Sequence, residues 1–125
     1  MINRIWNTKQ KGVIEFVFYK DKETSKYIGV CLTFDIIEES DDFIKVMQSV
    51  EEAAQLHLKV VIKKKLSDDL LNRYAPEEYW DIYFEIKNLI DQKKLEKRKA
   101  EEKVCNFPAT LILPYPMNQC VPSGV

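Results

Sequence analysis

An α+β domain is predicted from three observations. β-rich runs follow one another at residues 13–19 (VIEFVFY) and 27–34 (YIGVCLTF). A single strongly striped helix follows over 43–61, and a late apolar run, 107–113, is closed by a proline. The expected architecture is an antiparallel sheet of three or four strands packed on one face by that helix. A second long helix and a C-terminal edge strand complete it. The 125 residues read as one domain, with a β-β-β-α core over 12–65, the long helix over 76–103, the edge strand over 107–114 and a tail over 115–125.

In the first run, Ile14, Phe16 and Phe18 fall on one face of a strand, and Val13, Glu15, Val17 and Tyr19 on the other; the wholly apolar set is the one expected inside. Residues 20–26 (KDKETSK) form a charged turn, and Gly29 marks a bulge or a close backbone approach in the second strand. Asp35 turns the chain into a short third strand over 36–39. Strands joined this closely pair most simply as an antiparallel meander.

Ser40, Asp41 and Asp42 all suit a helix N-cap, and the carboxylates match the positive end of the helix dipole. Phe43, Val46, Met47, Val50, Ala53, Ala54, His57, Leu58 and Val61 then recur at helical spacing. Ser67 is a cap for a short turn reaching Leu71, and Pro76 with Glu77 and Glu78 starts the second helix. After Ile90 that helix turns almost wholly charged and projects into solvent or meets a partner. Pro108 has no ladder donor, so the last strand is expected at a sheet edge, with Phe107, Ala109, Leu111 and Leu113 on one face.

Composition excludes more than it selects. Nineteen Lys and Arg against 20 Asp and Glu leave no overall attraction for nucleic acid, so DNA or RNA binding would need a local patch. No run approaches the roughly 20 apolar residues of a membrane span, and the N-terminal MINRIWNTKQKG lacks the apolar stretch of a signal peptide. Cys31, Cys105 and Cys120 form neither a disulfide framework nor a zinc pattern, which fits a reducing, cytoplasmic setting. Three glycines assemble neither a phosphate loop nor a dinucleotide fingerprint. No catalytic, metal or cofactor set is expected.

The segment YIGVCL…IIEESDDFIKVMQSVEEAAQLHL resembles the HicB antitoxin family over residues 12–62. The family's turn corresponds to Glu39, Ser40, Asp41 and Asp42, and its Glu-Ala step to Glu52-Ala53. Its usual turn glycine is replaced here by Glu39 or Ser40, and its DNA-binding appendage is not recognisable. The resemblance implies a partial double-stranded-RNA-binding-like fold that masks a small ribonuclease toxin. Direct RNA binding by such a fold is opposed by the acidic turn.

Asp35, Glu38, Glu39, Asp41 and Asp42 have no Lys or Arg among them; they read either as a docking patch for a small basic protein or as a solvated turn with helix capping. Tyr79, Trp80, Tyr83 and Phe84 read either as cover for the sheet's second face or, with Phe107, Leu111 and Leu113, as a homo-oligomer interface. His57 is expected packed or lining an interface. Residues 93–103 hold six Lys or Arg among three Glu, the pattern of an exposed helix face more than of a nucleic-acid tether. The expected function is interaction with a toxin-like protein. The alternative is a self-associating scaffold or a small-ligand module without a toxin.

Overall fold

The computed structural model describes residues 6–96 and 108–116, with the side chains of 93–96 excepted. Strand β1 (Gly12–Lys20) is followed by β2 (Tyr27–Cys31), β3 (Ile36–Ser40), helix α1 (Phe43–Lys63), a 3-10 turn (Asp68–Leu71), helix α2 (Glu77–Glu96) and β4 (Ala109–Tyr115). The strands form one antiparallel sheet in the order β3-β2-β1-β4. The expected meander is present, and the last strand returns to pair with the first.

Both faces of β1 are covered, which its alternation alone did not require. Ile14, Phe16 and Phe18 pack with Val50, Ala54 and Val61 of α1 in one core. Val17 on the opposite face joins Val30, Leu32, Ala75, Trp80, Tyr83 and Ile86 in a second core under α2. The helices are offset. α1 lies over β2 and β3, whereas α2 crosses β1 and β4 on the other face. The second helix therefore neither projects from the sheet nor waits for a second copy: as far as Ile90 it packs on its own sheet. Residues 97–103 of the expected helix lie outside the described residues.

β2 ends earlier than its apolar run predicts. Leu32 still donates to the Glu15 carbonyl, but its own carbonyl accepts from Ala75, and the Thr33 hydroxyl takes the Glu15 N–H in place of a backbone oxygen. Asp35 then reverses the chain at φ 58, a left-handed conformation that Asp tolerates better than most residues. Gly29 is a close approach: a Cβ there would sit 3.1 Å from the Phe18 ring and 3.2 Å from Val50 of α1.

Of the three candidate caps, Asp42 serves, accepting from the N–H groups of Ile44 and Lys45. Ser67 caps the 3-10 turn through the Asp69 N–H. That turn is tied to α1 by the His57 ring, whose Nε2 lies 2.6 Å from the Leu70 carbonyl, and to the N-terminal segment by Asn7. The buried Asn7 side chain donates to Val13 and Leu71 carbonyls and accepts from the Val13 N–H. Tyr115, read from sequence as the head of a tail, instead ends β4 as a buried residue whose hydroxyl donates to the Thr8 carbonyl at 2.8 Å.

Candidate functional site

A four-stranded open sheet has two edges, and here they differ in chemistry. The β3 edge is acidic. Glu38 points to the α1 side, where its carboxylate accepts from the Ser49 hydroxyl at 2.7 Å; Glu39, next along the strand, alternates to the other face. Between this strand and α1 lies a shallow groove of about 360 Å³ lined by Glu38, Glu39, Ser40, Lys45, Gln48, Ser49 and Glu52. Charged residues on an edge strand discourage pairing with another chain.

The sequence-predicted acidic run does not assemble into one patch. Asp35 sits in the turn at the far end of β3 from Asp41 and Asp42. Asp42 is occupied as the α1 cap, and Asp41 lies 3.9 Å from Lys26 in an exposed ion pair of small energetic weight. Of the run, Glu38 turns its carboxylate into the groove and Glu39 borders it from the strand's other face, while α1 adds Glu52, a residue outside the run. The strand's period of two and the helix cap separate what is contiguous in sequence.

The β4 edge carries no charge along ATLILPY. On its α1 side, Leu111 and Leu113 are half-buried against the first core. Because α1 lies over the far strands, the sheet near β4 is left beside an apolar groove of about 670 Å³. Ile14 and Leu113 are on its floor side, Leu56, Leu58 and Ile62 come from α1, and Lys9, Glu52 and Lys59 supply charge. Leu56 is 60% exposed and Ile112, on the opposite face of β4, is 45% exposed. Leu56, Ile62 and Ile112 were not among the sequence-predicted site residues. Their signal was present: they are apolar residues that the helix stripe and the inward strand face do not absorb.

The aromatic cluster divides. Trp80 and Tyr83 are buried in the second core, each 1% exposed, and Tyr79 packs at its margin, so these three serve the sheet's second face. The interface reading of Trp80 and Tyr83 is corrected accordingly: side chains that fill a core within one chain are not available to anchor a second. Phe84 remains 37% exposed with its ring beside both. Phe107 lies outside the described residues.

The reactive side chains are engaged or masked. His57 packs against Phe34, with ring centroids 4.7 Å apart, while its Nε2 meets Leu70. Burial pushes the Cys31 thiol up to about 12, away from the thiolate that reactive chemistry needs. Burial also raises the Tyr83 phenol, aided by Glu15, whose carboxylate accepts from its hydroxyl at 3.3 Å. Cys105 and Cys120 lie outside the described residues. Among the described residues, no three His, Cys, Asp or Glu side chains converge as a metal set, and no helix is long and apolar enough to cross a membrane.

What the arrangement offers chemically is therefore two strand edges with adjoining grooves, one acidic and one apolar. Comparison with known proteins found no matching family model, no matching curated protein and no matching solved structure.

Proposed function

We propose that this chain is a non-enzymatic protein-interaction domain of the HicB type, acting in the cytoplasm by binding and masking a small basic protein. The ribonuclease identity of that partner is what the resemblance of residues 12–62 implies. One observation carries the reading: on a sheet edge that is unpaired among the described residues, Glu38 shares a groove with Glu52 of α1, and Glu39 carries negative charge on the strand's other face. A basic strand or loop docking there meets unpaired backbone groups and complementary charge together. Near-neutral total charge leaves local complementarity as the source of selectivity.

The test is purification of the tagged chain from its native host, followed by identification of any companion present in equal amount. The expected companion is small, basic and ribonuclease-active when released, and Glu38→Lys with Glu39→Lys should slow its association and raise its dissociation constant at least tenfold. Recovery of the chain with no basic companion, or a companion indifferent to charge reversal, refutes the proposal. The alternative of a self-associating module is favoured by a different observation, the uncharged β4 edge.

A further inference from the structure

The β4 edge can be resolved atom by atom. Leu32 donates to the Glu15 carbonyl and Asp21 to the Lys26 carbonyl, so the odd-numbered residues of β1 turn their backbone groups toward β2. By the alternation of an antiparallel ladder, Ile14, Phe16 and Phe18 turn theirs toward β4, where they face Leu113, Leu111 and Ala109. The backbone groups of Thr110, Ile112 and Pro114 consequently point away from the sheet. Pro114, which has no N–H, falls on the side where no ladder bond is lost.

From this we infer that β4 is the pairing edge of a homodimer, in which β4 meets the β4 of a second copy antiparallel across a two-fold axis at Ile112. The inference does not depend on the masking of a basic protein. In this register Ile112 faces its own copy and exchanges N–H and carbonyl with it. Thr110 faces Pro114, so the Thr110 N–H finds the Pro114 carbonyl, while the Thr110 carbonyl meets a nitrogen without a proton and stays with water. Self-pairing therefore satisfies the outward N–H groups of Thr110 and Ile112, while Pro114 costs this new ladder one bond in each half and keeps the pairing short.

Charge selects the same edge. β4 brings no like charges together, whereas the corresponding pairing of two β3 strands would centre Glu38 on Glu38 with Glu39 beside it. The product is a continuous eight-stranded sheet, twice the four strands of one copy. Both α1 helices lie on one face of it, and the two apolar grooves run together over the junction. Size sets the strength. Seven residues span about 23 Å, and a strip about 10 Å thick gives a few hundred Å². That is well below the about 800 Å² per partner of a standard interface. The dimer is accordingly weak and reversible, forming only at high protein concentration.

Sedimentation analysis of the full chain over a dilution series tests this, together with amide hydrogen exchange at the two ends of the series. The expected result is a monomer–dimer equilibrium in which the Thr110 and Ile112 amides gain protection with concentration. The Leu111 and Leu113 amides, bonded to β1 in either state, should not change, nor should Ile37 and Glu39 on the other edge. Ile112→Lys sets two ammonium groups across the axis and Thr110→Pro deletes an outward donor; each should weaken association at least tenfold, whereas Glu39→Lys leaves it unaltered. Should a variant fail to fold, the exchange pattern of the wild type decides alone. A chain that stays monomeric at high concentration, or a dimer whose Thr110 and Ile112 amides remain unprotected, overturns the inference.

Discussion

Replacing Trp80 by Ala measures how far α2 belongs to its own sheet. Trp80 is the largest fully buried side chain among those described, and its ring meets Tyr74 at 6.0 Å, Tyr83 at 5.7 Å and Phe84 at 6.2 Å. Deleting a buried Trp costs about 3–5 kcal/mol in transfer and cavity terms. Each aromatic contact adds about 0.5–1.5 kcal/mol in favourable geometry, part of which that range already contains. A loss of about 4 kcal/mol is a large fraction of the roughly 5–15 kcal/mol that stabilises a domain. At about 3–5 °C per kcal/mol for a chain this long, the thermal midpoint should fall by about 12–20 °C. Circular dichroism melts at low protein concentration supply the assay, where any dimer has dissociated. Phe84→Ala, at a position 37% exposed, is the control and should move the midpoint by a few degrees at most. If Trp80→Ala melts within about 3 °C of the wild type under those conditions, α2 is not held by its own sheet and the two-core description fails.

Gly12→Ala should cost about 1–3 kcal/mol, because the new methyl group would run into the Asn7 side chain and sit 2.6 Å from the Tyr115 hydroxyl. Denaturant titration reads that loss; an unchanged midpoint would mean the Asn7 network is dispensable. Burial raises the Glu51 carboxyl above its ordinary 4.5, so its proton is held more tightly folded than unfolded. Its penalty is absent in acid and grows as pH rises through that range, so Glu51→Gln should stabilise the protein at neutral pH and lose its advantage in acid. Equal effects at both pH values would contradict this. At the other end, burial pushes Cys31, Tyr19 and Tyr115 up to about 12. The unfolded chain releases these protons first, so stability should decline as pH climbs above about 9, and a melting temperature flat across that range would oppose the assignment.

The elements that sequence revealed best are those whose signal is local. β1 is visible in its alternation, α1 in its stripe and acidic start, the 3-10 turn in Ser67, and α2 in Pro76 with two glutamates behind it. Periodicity reports which residues share a face but not what covers that face, so the placement of Trp80 and Tyr83 stayed open between core and interface. The end of β2 depended on bonds from the Ala75 N–H to the Leu32 carbonyl and from the Glu15 N–H to the Thr33 hydroxyl, which no propensity encodes. The acidic run showed the opposite failure. Its charges are adjacent in sequence, yet a cap, a turn and a strand send them in different directions. The apolar groove was hidden because it arises from the lateral offset of α1 over the sheet, a property of packing between elements rather than of any one of them.

The pairing of β1 with β4 also has a consequence for how the chain acquires its shape. Gly12 meets Tyr115 and Phe18 meets Ala109, contacts that join the two ends of the described chain. Such closure is entropically costly and slow to form. During synthesis, β1 emerges before the other elements, gains β2 and α1 early, and must then wait for α2 and β4 to be made before its other edge is sealed. Throughout that interval VIEFVFY presents a β-prone, mostly apolar rim to its surroundings, the kind of segment that templates aggregation. β4 is thus a cover for the nascent molecule as well as a rim of the mature one. Chains cut short before Ala109 should be recovered in inclusion bodies or bound to chaperones, even though most of the residues that build both cores have already been made.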